Sequence, residues 1–134
     1  RVQTNRRAIS GDEFFTGMFE TALHGNEIIT AVSFTIPQRA GYVKFPNPAS
    51  RYAVVGVMVS QASTGVRVAV TGAGPKVFRV AAMERALSKD FSPAALQGIT
   101  IAADGLNSDI HASPEYRAHL ITVMAMRAVA AALT

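Results

Sequence analysis

Cysteine and tryptophan are absent from this chain of 134 residues, and charged residues make up only 16% of it. Without a thiol the chain cannot form a disulfide, bind zinc or an iron–sulfur cluster through cysteine, or use a cysteine nucleophile. No run of apolar residues is long enough to span a bilayer, and the first residues carry no signal-peptide pattern. These absences are compatible with the cytoplasm, which is the location we expect.

Apolar residues make up 49% of the chain, which is long enough for one domain with its own core. We therefore expect a single domain over residues 1–134. A weakly charged small domain with this much apolar surface often covers part of that surface with a partner. The net charge of +4 comes mostly from scattered arginines, and no aromatic residues interleave with a stripe of lysine and arginine, so we expect no nucleic-acid partner.

The first half of the chain is predicted to form β-strands. Residues 1–9 are at most an edge strand, and residues 27–36 alternate between apolar and polar side chains, as a half-buried strand does. Residues 41–46 and 52–61 follow, and the second range is apolar on both faces, which indicates a central strand. Residues 66–72 alternate most clearly and should pair antiparallel with the central strand through a hairpin.

Four segments are predicted to be helical. Ser10 and Glu13 have the spacing of a capping box before a short helix, and residues 80–89 are amphipathic. A serine followed by proline, which is an N-cap with proline in the first turn, starts helices over 92–103 and from 113 onward. Strands first and helices last predict an α+β fold: an antiparallel β-sheet of three to four strands packed against a C-terminal cluster of about three helices.

A proline-containing loop lies between the second and third predicted strands. Pro46 and Pro48 fix φ and remove two backbone donors, so this segment cannot continue a central ladder. Lys44, Arg51 and Tyr52 stand at the shoulders of the loop, which brings two cations and an aromatic ring to one place. On the residues alone, this is either a surface hairpin with solvated charges or a binding loop.

Other candidate sites have weaker patterns. The G-A-G-P sequence of residues 72–75 lacks the third glycine of a dinucleotide loop, so it indicates a tight turn. Asp109, His111, Glu115 and His119 lie close in sequence but without the spacing of a metal site. No nucleophile-elbow pattern is present. We therefore expect no metal and no catalysis by this chain alone.

Five segments carry a resemblance to a known family: Asp12–Thr21, Tyr42–Phe45, Arg51–Gly56, Gly72–Pro75 and Leu106–Leu120. In this order and spacing, from about Asp12 to Leu133, the chain resembles the C-terminal domain of the FAD-binding medium subunit of carbon monoxide dehydrogenase. Related molybdenum hydroxylases, including xanthine dehydrogenase, share that domain. The resemblance implies that the complete subunit uses FAD to pass electrons from iron–sulfur clusters to an acceptor. The clusters and the molybdenum cofactor belong to partner subunits.

The resemblance also implies roles for the loop. Lys44 matches a lysine beside the flavin ring, where a cation favours negative charge on the ring. Tyr52 matches an aromatic residue that lies against the isoalloxazine, and Arg51 belongs to the mobile loop between them. The N-terminal FAD-binding domain, which holds the pyrophosphate, is absent from this chain. We therefore expect the chain alone to bind FAD only weakly.

Two alternatives stay open. The chain could be a stand-alone protein-interaction module of the same fold without flavin chemistry. It could also be a small metal-dependent or hydrolytic enzyme that uses Asp109, His111 and His119. Within the family resemblance, Asp109, His111, Tyr116 and Arg117 are instead expected to hold the helical tail and a subunit interface.

Overall fold

Contacts between residues divide the chain into two units, residues 1–36 and residues 37–134, in a computed structural model that describes all 134 residues. The second unit contains all the candidate site residues. The expectation of a single domain over residues 1–134 stays a prediction.

The first unit consists of two small antiparallel sheets and one helical turn. Its elements are β1 Val2–Thr4, β2 Ala8–Ile9, α1 Gly11–Phe14, β3 Phe15–Gly17, β4 Glu20–Thr21 and β5 Ile29–Val32. The strand orders are β2-β1-β5 and β3-β4. The buried apolar side chains of this unit are few: Val2, Ile9 and Phe14, with Ala22 and Leu23 packed against them.

The first unit corrects three predictions. Residues 1–9 form two strands, not one edge strand: β2 lies at the edge of its sheet, but β1 lies at the centre between β2 and β5. The strand predicted over 27–36 is only four residues long, and all four are exposed. Alternating apolar side chains become buried only where a second layer of structure covers one face of the sheet. The small core of this unit provides no such layer over β5. Ser10 does not cap the amide of Glu13; its hydroxyl donates to the Glu13 carboxylate at 2.8 Å.

The second unit contains a four-stranded antiparallel sheet with the order β6-β7-β8-β9. Its elements are β6 Arg39–Pro46, β7 Ala53–Ala62, β8 Gly65–Thr71, β9 Phe78–Arg79, α2 Ala81–Lys89, a 3₁₀ turn Pro93–Leu96 and α3 Pro114–Leu133. The predicted α+β fold is therefore confirmed. The central position of β7 and its hairpin with β8 are confirmed as well.

One face of this sheet packs against the helices and forms the core. Alternate valines of β7 and β8 point to that face and are buried together with side chains of α2 and α3. The helical contributors that are fully or almost fully buried are Met83, Leu87, Ile121, Met124, Ala125, Ala128 and Val129. No helix is both long enough and apolar enough to cross a membrane.

The helix predicted over 92–103 is wrong beyond its first turn. Ser92 does cap the segment, since its side chain accepts the amide of Ala95 at 3.3 Å. Only the 3₁₀ turn Pro93–Leu96 follows, because Gln97 has an extended backbone and Gly98 a left-handed one with φ +77°. Glycine readily takes that conformation, which ends a helix. The predicted start of α3 is confirmed: Ser113 accepts the amide of Tyr116, with Pro114 in the first turn.

Candidate functional site

Asn47 organises the loop between β6 and β7. Its side chain is buried, and its Oδ1 accepts the amides of Ala49 at 2.9 Å and Ser50 at 3.1 Å. The Asn47 amide donates to the carbonyl oxygen of Tyr52 at 2.8 Å, and the Arg51 amide donates to that of Asn47 at 3.0 Å. The loop is thus an Asx turn closed by main-chain hydrogen bonds. Sequence reasoning gave the prolines this role and missed Asn47, although N-P-A-S is a turn signal.

The loop brings the three predicted site residues together. Lys44 Nζ donates to the carbonyl oxygen of Arg51 at 2.7 Å across the loop. Arg51 has a left-handed backbone with φ +62°, which costs a non-glycine residue about 1–2 kcal/mol. All three side chains are exposed, with 48% of Tyr52 accessible. The result is an ammonium group fixed to the backbone of the residue that precedes the exposed Tyr52.

The sheet face beside Lys44 is open. Lys44 lies opposite Gly56 in the register, and Tyr42 lies opposite Met58, so these residues share the face that points away from the helices. A Cβ at Gly56 would lie 2.5 Å from the Tyr42 hydroxyl and 2.7 Å from the Thr71 hydroxyl. Glycine therefore lets both hydroxyls lie over the strand. Tyr42 and Met58 are exposed.

The turn at residues 72–75 is structural, as its sequence indicates. The Asn107 side-chain amide donates to the carbonyl oxygens of Gly72 at 3.0 Å and Gly74 at 2.9 Å. Gly72 has φ +77°, and a Cβ there would overlap the carbonyl oxygen of Ala53. The turn therefore fastens the segment before α3 to the start of β7.

Asp109 and Arg117 form an ion pair and make no metal site. The Asp109 carboxylate accepts the amides of His111 at 2.9 Å and Ala112 at 3.0 Å, and its other oxygen accepts Arg117 Nη2 at 2.7 Å. These hydrogen bonds, above all the one from His111, hold the pKa of Asp109 below its usual range although desolvation opposes them. No group of three or more His, Asp or Glu side chains could hold a metal ion. The clustering in sequence reflects capping of the loop and of α3.

A four-stranded antiparallel sheet with one long helix across its inner face defines an α+β domain, with Lys44 and Tyr52 at one end of the sheet. The family described as "CO dehydrogenase flavoprotein C-terminal domain" matches residues 40–132, and the chain belongs to that family. The matched range covers most of the second unit. The family resemblance inferred from the sequence is therefore confirmed.

A curated relative agrees with this assignment, and two solved structures share the fold. The nicotine 6-hydroxylase medium subunit of Paenarthrobacter nicotinovorans is 37% identical over 136 residues, which cover 92% of this chain and 47% of the relative. CO dehydrogenase from Oligotropha carboxidovorans matches with a TM-score of 0.76 at 21% identity. Quinoline 2-oxidoreductase from Pseudomonas putida 86 matches with a TM-score of 0.74 at 22% identity. Each structure match covers 94% of this chain and 48% of the other, and shows the fold alone.

The family implies a flavin, and the loop fits one part of it. Lys44 has two ammonium N–H bonds left after its bond to Arg51, and Tyr52 offers a half-exposed ring, which suits the polar edge and the face of an isoalloxazine. A pyrophosphate needs a cradle of backbone amides, usually at a helix N-terminus. The glycine turn at 72–75 instead has its carbonyl oxygens bound by Asn107. The residues fit the ring end of FAD and not its phosphates.

Proposed function

We propose that this chain is the C-terminal domain of the FAD-binding medium subunit of a molybdenum hydroxylase, where it covers the flavin and docks partner subunits. FAD, when bound in the complete subunit, would carry electrons from iron–sulfur clusters to an acceptor. Membership of the CO dehydrogenase flavoprotein family supports this, as does 37% identity to a hydroxylase medium subunit. The chain spans about half the length of these relatives, so we expect no activity from it alone.

The observation that carries the proposal is that Lys44 is bound to the backbone of Arg51, the residue before the exposed Tyr52, at one end of the sheet. The bond from Lys44 to the Arg51 carbonyl fixes the ammonium group, and a fixed cation at the ring edge favours negative charge there. Tyr52 would lie against the ring and exclude water from it. Arg51, whose side chain is exposed at the loop tip, would line the approach of the acceptor.

The partners that we propose are the N-terminal FAD-binding domain and the iron–sulfur and molybdenum subunits, in the cytoplasm. The first unit supports protein partners, because it exposes more large apolar side chains than its small core buries. Phe34 is 81% exposed and Ile36 is 86% exposed, and both follow the exposed strand β5. We assign this surface to the FAD-binding domain. No nucleic acid is expected as a partner.

The test is to replace Lys44 and Tyr52 by alanine, one at a time, in the complete subunit. Lys44→Ala removes the cation that favours the reduced, more negative ring, so the flavin midpoint potential should fall by about 30 mV, a tenfold change for a two-electron couple. Tyr52→Ala should alter the potential or the rate of acceptor reduction. Lys89→Ala, which removes an exposed lysine at the end of α2, is the control. Unchanged potentials and rates in both loop variants would contradict the site assignment.

The alternative is a stand-alone protein-interaction module without flavin chemistry. The exposed apolar residues of the first unit would suit it equally well. Reading the coding frame upstream of Arg1 separates the two proposals. A glycine-rich FAD-binding domain in that frame supports the medium subunit, and a start codon next to Arg1 supports the module.

A further inference from the structure

The first turn of α3 supports both shoulders of the loop at residues 47–52. On the β6 side, the Tyr116 ring meets the Phe45 ring edge to face, with centroids 6.1 Å apart, and Phe45 is the neighbour of Lys44. On the β7 side, Arg117 Nη1 donates to the carbonyl oxygen of Val54 at 2.6 Å, two residues after Tyr52. Two consecutive helix residues therefore contact the two strands from which the loop emerges.

Arg117 connects three segments with one buried guanidinium. Besides Val54, it donates to the carbonyl oxygen of Gly72 at 3.2 Å and to Asp109 Oδ2 at 2.7 Å. Only 2% of the residue is exposed. The start of β7, the turn after β8 and the segment before α3 are thus held at fixed separations.

The burial of this arginine needs an explanation beyond packing. Its Nε–H is buried without a partner, although a buried donor is usually satisfied. An apolar side chain of similar volume would fill the same space without desolvating a charge, and such replacements are often neutral or stabilising. What only the planar guanidinium supplies is a rigid fork of donors, in which Nη1 holds two carbonyl oxygens while Nη2 holds the Asp109 carboxylate.

We propose that Arg117 is a positioning residue for the loop at residues 47–52, with Tyr116 supporting the β6 shoulder. By fixing the Val54 carbonyl, Arg117 fixes the start of β7 and with it Tyr52, whose own carbonyl accepts the Asn47 amide that closes the loop. The Arg51 carbonyl that holds Lys44 Nζ lies within this closed ring. The claim that this loop position serves a flavin rests on the proposed function. The claim that Arg117 sets the loop position does not rest on it.

The first test measures loop order in this chain without flavin. In Arg117→Lys the charge stays but the fork is lost, so backbone order parameters of Arg51 and Tyr52 should fall from about 0.85 to below about 0.6. Arg127→Lys makes the same change at an exposed position of α3 and should leave the loop ordered. Val129→Ala, a core truncation on the same helix, is the control for lost stability. A loop as ordered in Arg117→Lys as in Arg127→Lys, or equally loosened by Val129→Ala, overturns the proposal.

A second variant protects the test against misfolding. Asp109→Asn keeps an oxygen for the His111 and Ala112 amides but removes the charge that Arg117 pairs with, so it should loosen the loop less than Arg117→Lys does. Rescue of loop order in Asp109→Glu, which restores the charge, would support the role of the pair. If Arg117→Lys does not fold, a fully ordered loop in Asp109→Asn overturns the positioning proposal.

The third test uses the complete FAD-loaded subunit. Arg117→Lys should shift the flavin potential in the same direction as Tyr52→Ala, and Arg127→Lys should not. If the loop loosens but Lys44→Ala and Tyr52→Ala leave the potential unchanged, the flavin role fails while the positioning role stands. If those two variants do change the potential and Arg117→Lys does not, the positioning proposal is overturned.

Discussion

At the scale of single residues, Glu27 is held more firmly than any other carboxylate of the first unit. It accepts Arg7 Nε at 2.8 Å and Nη2 at 3.0 Å, the His24 amide at 2.9 Å and the Thr4 hydroxyl at 3.3 Å. Only 1% of its side chain is exposed. The hydrogen bond from Arg7 is the main cause that lowers the pKa of Glu27 to about 2.

This pKa predicts the acid sensitivity of the first unit. An unfolded glutamate titrates near pH 4.3, above the folded pKa, so the stabilisation is complete above that value and is lost as pH falls towards 2. Glu27→Gln should remove the stabilisation and flatten this acid limb. Urea unfolding at pH 6, 4 and 3, followed through the methyl NMR signals of Val2 and Ile9, would measure it. Asp104→Asn, which changes an exposed carboxylate outside the first unit, is the control; the wild-type slope in Glu27→Gln would contradict the prediction.

The loop residues show what single positions reveal in a sequence. Lys44, Arg51 and Tyr52 were predicted from the charges and the ring beside two prolines, and the structure brings them together. Asn47 was not recognised as an organiser of the loop, and Arg117 was expected only to hold the helical tail and a subunit interface. Their importance comes from burial and from hydrogen bonds that reach up to 63 residues along the chain, which local patterns do not show.

At the scale of elements, α3 lies unusually close to β6. A Cβ at Gly41 would overlap the Ala128 carbonyl oxygen and lie 3.0 Å from the Ala132 amide nitrogen. These are backbone atoms of a helix and cannot move without shifting the whole element. Glycine on the strand and alanines on the helix together permit the contact.

This contact predicts the effect of one added methyl group. Gly41→Ala should destabilise the second unit by about 1–3 kcal/mol, because α3 must move away from the sheet. Gly25→Ala adds the same group where nothing lies within 4 Å and should have little effect on stability. Urea unfolding midpoints of both variants, followed by circular dichroism of the helices, would measure the difference. A midpoint for Gly41→Ala equal to that of the wild type would show that the helix adapts at no cost.

The elements that were predicted well are those whose type and start are specified by their own residues. Alternating valines specify β8, and the Ser113–Pro114 pair specifies the start of α3. The segment over 92–103 was predicted too long because Gly98 was given no weight as a stop signal. The exposure of β5 could not be predicted, because an alternating sequence shows which face of a strand is apolar but not whether anything covers that face.

At the scale of the whole molecule, the two units differ in how many of their apolar side chains they bury. The second unit buries valines and leucines between sheet and helices, and its sheet leaves one face open beside Lys44. The first unit buries only three apolar side chains and exposes Phe19, Ile28, Val32, Phe34 and Ile36. The matched relatives that cover nearly all of this chain are about twice as long as it.

The proposed site has contacts for the flavin ring but none for the pyrophosphate, which predicts weak FAD binding by this chain. In the proposed site Lys44 and Tyr52 contact only the ring, whereas a pyrophosphate needs backbone amides. The turn at 72–75 is held by hydrogen bonds from Asn107 to its carbonyl oxygens. Calorimetric titration of the chain with FAD should therefore give a dissociation constant weaker than micromolar, that is, less than about 8 kcal/mol of binding free energy. The complete subunit, titrated in the same way after removal of its flavin, should bind far more tightly. Micromolar or tighter binding by the chain alone would contradict this division of the site, and a loss of that binding in Lys44→Ala would place the whole flavin site on this domain.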